Sequence, residues 1–429
     1  MDKRKLTQQT LKRMMDLGAD KASIRLSASD TQEFNVVYRE LNLLRSISTQ
    51  SMGLSVIKDQ KSASVNVNQL DDQTINGAID ELFQSIETAD ADPAYDISPH
   101  QPPSVFEKGT LKPDVDLVCD RLVEYARQCK KDYPSVQFDA TMSHHKQHVL
   151  FANSNGVDLE ENLGYYDFMS MFSAKDGNKM SSFNFTTFSA ADLDKPVMDM
   201  NFTGELIRQI TEQTSTRPIA ENFTGDVIFM PFGFMEFLFE IVGNHIGNGV
   251  MMKTSRFPDH LGQKILDDKL TLRIMPCSPE MCSESRITTD GYIAEDATII
   301  DHGILRHYLL NLFAANKTGK QRTVGSGNGF VIDPGTTPWR DMIASVKRGI
   351  LCPRVSQGSP NPNGDFSAVL KNSYYIEDGR IAYPISETMM SGNVIEMFNQ
   401  MIDLSAETIN TGWMKAPFIK IEDLFISKK

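Results

Sequence analysis

The 429-residue sequence predicts an α+β fold in two parts: an N-terminal α/β domain with an antiparallel sheet, and a mostly β C-terminal domain. Three features support this. A helical period over residues 6–17 gives way to runs that alternate apolar and polar residues between 22 and 68, as in a sheet with one covered face. Turn dipeptides recur at Asn155-Gly156, Asp176-Gly177, Asp290-Gly291, His302-Gly303 and Asp378-Gly379, where a hairpin calls for positive φ. The composition changes near Thr214–Glu221, which divides the chain into domains at 1–215 and 216–429.

Leu6, Thr10, Leu11, Met14 and Leu17 follow helical spacing, and Gly18 is the stop signal. Strands are expected at Ala22–Ala28, Glu33–Arg39, Asn42–Ser48, Gly53–Lys58 and Ser62–Asn68. Asp71 caps a second helix that buries Ile75, Ala78, Ile79, Leu82, Phe83 and Ile86. Residues 90–113 carry Pro93, Pro99, Pro102, Pro103 and Pro113 with little periodicity, and read as a long surface linker. A third helix begins after Pro113 and uses Val115, Val118, Leu122, Val123 and Ala126. In the second half, Asp226–Pro231 reads as a strand and 232–247 as a helix. Trp339–Val346 and Val394–Ile402 also read as helical, and Val324–Phe330 and Ser356–Gly364 as Gly- and Pro-rich loops.

Hydrophobic residues make up 40% and charged residues 23%, the balance of a soluble globular protein, and the net charge is −13. Such an acidic chain is not expected to contact nucleic acid directly, because phosphate binding needs a surplus of Lys and Arg. The five cysteines are odd in number and form no Cys-x-x-Cys pair, which argues against a disulfide framework or a zinc knot. The opening Met1–Thr7 is polar, and no apolar run reaches the ~18 residues of a membrane span, so a cytoplasmic location is expected.

The segment 232–247 is the most informative. Phe232, Phe234, Met235, Phe237, Leu238, Phe239, Ile241, Val242 and Ile246 leave almost no polar face, so a buried helix is expected, with Glu240 a polar point in an apolar site. A zinc peptidase helix places two histidines around such a glutamate. Here the one histidine is His245, five residues after Glu240 and roughly 140° away on a regular helix. The two converge only across a bulge, and the residue types favour a core helix with one satisfied glutamate.

Other candidates are weaker. His144, His145 and His148 form a histidine cluster, but His144 and His148 lie two pleats apart on a strand and read as exposed histidines near a hairpin. Cys277 and Cys282 read as ordinary thiols. Gly325-Ser326-Gly327-Asn328-Gly329 lacks the Gly-Lys-Ser/Thr of a phosphate loop. Asp301, His302 and His307 straddle a turn without a nucleophile motif. Most of the 22 methionines read as core filler, although an adaptable peptide-binding surface would also use them.

The C-terminal half carries an ordered set of short motifs. These are Asn363-Gly364-Asp365-Phe366-Ser367, the run Tyr375 to Glu387 with its Asp378-Gly379 turn, and Met390-Ser391-Gly392-Asn393. Upstream lie Asp226–Ile228, Ser255-Arg256-Phe257 and Ile300-Asp301-His302-Gly303-Ile304-Leu305. In order and spacing the set resembles the TldD/PmbA (TldD/TldE) metallopeptidase family, also called modulators of DNA gyrase. The resemblance implies a two-domain subunit that dimerises around a chamber and acts on peptides or unfolded polypeptides. It also implies that the TldD-type subunit binds zinc through His-Glu-x-x-x-His and a late Cys-Gly, while the TldE/PmbA type keeps the fold without that site.

Carried onto this chain, the histidine positions fall on Phe239 and Asn244, the glutamate on Glu240, and the cysteine on Thr411 before Gly412. All three ligand positions are replaced by side chains that are poor zinc ligands or none. The resemblance therefore implies a TldE/PmbA-type subunit with no cofactor of its own, with zinc held by a TldD-type catalytic partner. The alternatives are a homodimeric peptide-binding protein, or a hydrolase with an unrecognised site around Glu240, His245 or His307.

Overall fold

The computed structural model describes residues 2–37, 40–325, 327–357, 360–361, 363–386 and 388–428; of the positions named above, Met1, Arg39, Ser326 and Glu387 lie outside them, as do 358, 359 and 362 of the loop Ser356–Gly364. Strands take 42% of the chain and helices 24%, gathered around two sheets, which makes the fold a strand-dominated α+β arrangement.

The first sheet uses β1 (Lys21–Val37), β2 (Glu40–Lys58), β3 (Lys61–Val67), β4 (Ser104–Gly109), β5 (Val136–Asn153) and β6 (Asp158–Asp176), in the order β3-β2-β1-β5-β6-β4. β7 (Lys179–Met180) and β8 (Asn184–Ala190) also pair with β6. Four helices cover it: α1 (Lys3–Asp16), α2 (Asp72–Thr88), α3 (Val115–Asp132) and α4 (Thr203–Glu212). The cap expected at Asp71 forms, and Asp114 caps α3 in the same way. Asp71 accepts the Thr74 amide at 2.9 Å and Asp114 the Leu117 amide at 3.0 Å, each filling an orphan donor of the first turn. Strand alternation sends Ile24, Leu26, Met52, Leu54 and Val56 onto Leu6 and Met14 of α1 and Ile75, Ile79 and Leu82 of α2.

Two sequence expectations are corrected in this half. The first four expected strands are two long ones, because β1 continues through its polar middle, Ser27–Gln32. There β2 and β5 satisfy both backbone edges whatever the side chains are. The linker at 90–113 contains β4, which runs parallel to β6 from Ser104↔Leu159 to Gly109↔Gly164. Prolines bound that strand without interrupting its ladder.

The second sheet begins with β9 (Phe223–Phe229). β9 lies between Arg348–Cys352, which is parallel to it, and the long C-terminal strand Met414–Lys428, which is antiparallel. Outward from these run Tyr374–Glu377 and Arg380–Pro384 on one side, and Phe330–Ile332, Leu272–Ile274 and Ala297–Asp301 on the other. The Asp378-Gly379 turn has φ of 45° and 76°, as the dipeptide predicts. The helix expected over Val394–Ile402 stops at Asn399, because Met401 already pairs with Ile421.

One apolar cluster joins the two sheets. Phe168 and Phe188 of the first sheet, Tyr125 of α3 and Ile207 of α4 pack with Ile228, Phe232, Trp339 and Phe418 of the second. Trp339 lies flat on Phe418 (5.2 Å, 17°), and Phe202 meets both rings. Phe202 adopts φ +60°, a left-handed conformation that costs an L-residue about 1–2 kcal/mol. Burial of its ring between Trp339 and Phe418 offsets that cost.

A polar cluster lies under the loop that follows Leu272–Ile274. Lys108 of β4 donates to the carbonyls of Pro276 (3.1 Å), Met281 (2.6 Å) and Glu284 (3.3 Å). Glu161 of β6 accepts from the Arg286 amide at 2.6 Å and from the Ser285 hydroxyl. Burial pushes the Glu284 carboxyl up to about 7, with Glu161 adding to the rise and Lys108 opposing it. Free Glu titrates near 4.5, so between 4.5 and about 7 the folded chain holds a proton that the unfolded chain releases. Stability from this group is therefore present below 4.5 and lost as pH rises through 7. Glu284→Gln is expected to unfold at higher temperature than the parent at pH 8, by the equivalent of about 1–3 kcal/mol, and at nearly the same temperature at pH 5. Calorimetric melts across that range measure the difference, and an equal gain at both pH values would refute it.

Candidate functional site

β9 leads directly into α5 (Pro231–Glu240), which opens with proline at its first turn. Gly233 lets this helix lie on the neighbouring strand, because a Cβ there would stand 2.7 Å from the Cys352 carbonyl. The inner side is aromatic. Phe234 meets Phe398 at 4.8 Å and Phe237 meets Phe366 at 4.7 Å, while Phe229 of β9 touches both Phe234 and Phe237.

The helix does not continue in α register. Ile241–His245 form a π-helical turn, closed by the Ile246 amide on the Ile241 carbonyl at 3.0 Å, and α6 (Asn248–Met252) follows. This corrects the expectation of one regular helix over 232–247. A π turn closes i→i+5, so residues five apart lie closer to one face than in an α-helix. Its exit is tight: a Cβ on Gly249 would stand 1.9 Å from the Asn244 carbonyl oxygen, so only glycine fits.

The all-round burial expected for this segment is also corrected. Phe239 is 38% exposed, Glu236, Gly243 and Asn244 are exposed, and Glu240 is half-buried. Phe239 counts as core by residue type, yet it lies on the face that the π turn presents outward. There it is held by two rings: Trp413 stacks on it at 6.4 Å and 24°, and Phe330 meets it edge-on at 6.1 Å. Glu240 Oε1 accepts the Asn244 side-chain amide at 2.9 Å.

His245 goes the other way, with 1% of its surface exposed. Its Nδ1 accepts the Arg256 amide at 3.4 Å, which leaves the ring proton on Nε2, and that nitrogen has no partner among the described residues. The ring packs edge-on to Phe257 at 5.8 Å. Burial holds its pKa below the usual histidine value; Glu240 acts against that shift and Arg256 adds to it. It is thus a neutral core imidazole, out of reach of solvent.

Thr411 is fully buried in the hairpin turn ahead of Met414–Lys428. Its hydroxyl donates to the Met414 carbonyl at 3.0 Å and accepts the Met414 amide at 3.1 Å, so it is spent within the turn. Gly412, at φ +81°, backs onto Ser189 and the Cys282 sulfur. Both halves hold the turn: Ser189 of β8 donates its amide to Thr411 at 2.7 Å, and Ser283 donates its own to Gly412 at 3.3 Å.

The other sequence candidates do not join this site. His307 is half-buried, and its imidazole makes no hydrogen bond or ion pair among the described residues. The histidine cluster is split three ways: His144 donates to the Thr110 carbonyl (2.7 Å), His145 contacts Thr31 (3.0 Å) and Asp167 (3.1 Å), and His148 contacts Glu160 (3.0 Å). His144 is 2% exposed, which corrects its reading as an exposed strand histidine; it fills the space beside Tyr166. Cys277 and Cys282 are free thiols, and burial raises the pKa of Cys282 to about 12. Among the described residues no group of three His, Cys, Asp or Glu side chains could hold a metal ion. Sequence reading missed Trp413, one of only two tryptophans and next but one to Thr411, as the partner of Phe239.

Comparisons with known proteins agree with this layout. Residues 223–428 match the PmbA/TldA metallopeptidase C-terminal domain. The chain is 22% identical to Metalloprotease PmbA of Escherichia coli, over 97% of this chain and 96% of that one. It is 23% identical to an uncharacterised protein of Methanocaldococcus jannaschii, over 82% and 84%. The crystal structure of TldE from Thermococcus kodakarensis superposes with a TM-score of 0.83 at 20% identity, covering 98% of this chain and 100% of that one. A structure described as a putative modulator of DNA gyrase from Bacteroides thetaiotaomicron gives 0.87 at 19% identity, with complete coverage of both.

The π turn makes a testable geometric claim. A Phe239→His/Asn244→His double variant is expected to bind Co²⁺ through two imidazoles on one face, visible in the cobalt absorption spectrum. Each single variant should bind at least about tenfold more weakly, because the second ligand then adds no effective concentration. Equal affinity in the single and double variants would mean that the two positions do not converge.

Proposed function

The chain belongs to the PmbA/TldD metallopeptidase family, and from that premise we propose that it is a TldE/PmbA-type subunit without zinc chemistry of its own. It shapes the peptide-binding chamber of a complex whose catalytic zinc sits in a TldD-type partner. The observation that carries this reading is the set Phe239, Asn244 and Thr411 at the three positions matching the family's ligands. A phenyl ring stacked on Trp413, an amide bound to Glu240 and a hydroxyl spent inside its own turn offer no metal-binding set. The division into domains at 1–215 and 216–429 belongs to the same proposal, and so does pairing with a partner subunit or a second copy. The location proposed is the cytoplasm; among the described residues no helix is long and apolar enough to cross a membrane.

The test is reconstitution with a relative that keeps His-Glu-x-x-x-His. Alone, the purified chain is expected to carry no stoichiometric zinc and to leave unfolded polypeptide intact. Mixed with the relative, it should raise peptide hydrolysis, and that activity should vanish when the relative's zinc ligands are replaced. His307→Ala in this chain should leave the activity of the complex unchanged. Hydrolysis by this chain alone that is lost in His307→Ala would support the independent-hydrolase alternative instead.

A further inference from the structure

The face that replaces the metal set has a chemistry of its own. Phe239 is the outlier of its helix: Phe234 and Phe237 are at most 1% exposed and Phe232 is 7% exposed, whereas Phe239 keeps 38% of its surface open. An exposed ring is ordinarily mobile, but this one is fixed by Trp413 on one side and by Phe330 at its edge. The next residue of the same helix is Glu240, half-buried, its Oε1 oriented by Asn244. No cation pairs with Glu240 among the described residues. The nearest imidazole, His245, is neutral through burial and faces the core. Arg256, on the other side of His245, directs Nη2 to the Asn363 carbonyl at 3.2 Å.

A half-desolvated carboxylate lacking a counter-charge, one residue along the helix from an immobilised aromatic pair, has the make-up of a receptor for an organic cation. The ring face attracts positive charge through its quadrupole, and the carboxylate completes the pairing. A compact metal ion would gain little from the ring. A guanidinium on a hydrocarbon stem gains from both parts, since it stacks on aromatic faces and forks onto carboxylates. The net charge of −13 favours its approach.

We propose that Phe239, Trp413 and Glu240 form a subsite for the arginine side chain of an extended polypeptide. This rests on the reading of the chain as a chamber subunit that binds peptide, and it adds which side chain the former metal position selects. Phe239 supplies the stacking face, Trp413 keeps that face flat and outward, and Asn244 holds Glu240 in place. Lysine fits the same chemistry with weaker stacking.

The test needs no variant at first. Two unstructured peptides are compared that differ only in arginine or citrulline at one position, citrulline being the uncharged near-isostere. Binding to the full chain is followed by tryptophan fluorescence. Trp339 is 6% exposed and lies in the core, so Trp413 is the ring that reports. The arginine peptide is expected to change the emission and to bind about threefold to thirtyfold more tightly than the citrulline peptide. Glu240→Gln should erase most of that difference, and Phe239→Leu should weaken the arginine peptide while Phe239→Tyr retains it. Equal binding of the two peptides, to parent and variants alike, would overturn the subsite. So would emission that shifts with protein concentration alone, as docking of a second copy on this face would produce. Either result with partner-dependent hydrolysis intact defeats this inference and spares the proposed function. Absence of hydrolysis together with selective arginine binding does the reverse.

Discussion

The π turn at Ile241–His245 is the constraint on which the site depends. Had the helix stayed in α register, residues 239 and 244 would point roughly 140° apart, and no common face would exist. The wider turn narrows that angle. It sends Phe239 outward to Trp413, turns Asn244 back onto Glu240, and buries His245 against Phe257. The turn carries a cost: the buried Nε2–H of His245 has no acceptor among the described residues, and such a group costs about 1–3 kcal/mol. It persists because Gly247 and Gly249 allow the chain to leave at an angle that no side chain would permit, and because the aromatic inner face of α5 is locked to the sheet behind it. Surrounding structure that over-determines a costly backbone is the usual setting of a functional site.

The same packing explains what could be read from the sequence and what could not. The starts of α2 and α3 were legible, because Asp71 announces the first cap, Pro113 precedes the second, and the buried residues keep helical spacing. The Asp378-Gly379 hairpin was legible because its geometry needs only local residue types. β4 was hidden: it is a short edge strand among prolines, and its partner β6 lies far along the chain. The exposure of Phe239 was hidden for a related reason. Counting apolar residues measures how much a helix wants to bury, but the face left open is decided by Trp413, in the turn before the last strand, and Phe330, in another strand of the second sheet. His144 was misjudged because its burial depends on the Thr110 carbonyl brought in behind β4. The matching of Phe239, Asn244 and Thr411 to ligand positions rests on the resemblance alone; spacing within the segment pointed only to a core helix.

Neither sheet makes the site by itself. α5 springs from the second sheet, yet the turn that carries Trp413 is held by Ser189 of the first sheet and Ser283 of the loop over the Lys108–Glu161 cluster. Trp339 on Phe418, with Phe202 held in a left-handed conformation beside them, keeps the sheets in one register. Small displacements between the halves would therefore be felt at Thr411 and Gly412 first, where a single added carbon would meet Ser189 and Cys282.

In a zinc-bearing relative of the kind the resemblance implies, the metal also ties the helix to the C-terminal turn. A structural zinc contributes on the order of 10–16 kcal/mol to folding, whereas an aromatic stack adds about 0.5–1.5 kcal/mol beyond its burial. Phe239 on Trp413 thus cannot replace such a cross-link in energy, only in shape. The turn is held locally instead. Thr411 closes its own turn with two hydrogen bonds, and the Ser189 and Ser283 amides hold that turn from two sides. A turn so secured stays in place without a metal. Phe239 then adds a shape-matching contact between α5 and that turn, through Trp413, rather than the cross-link that fixes it.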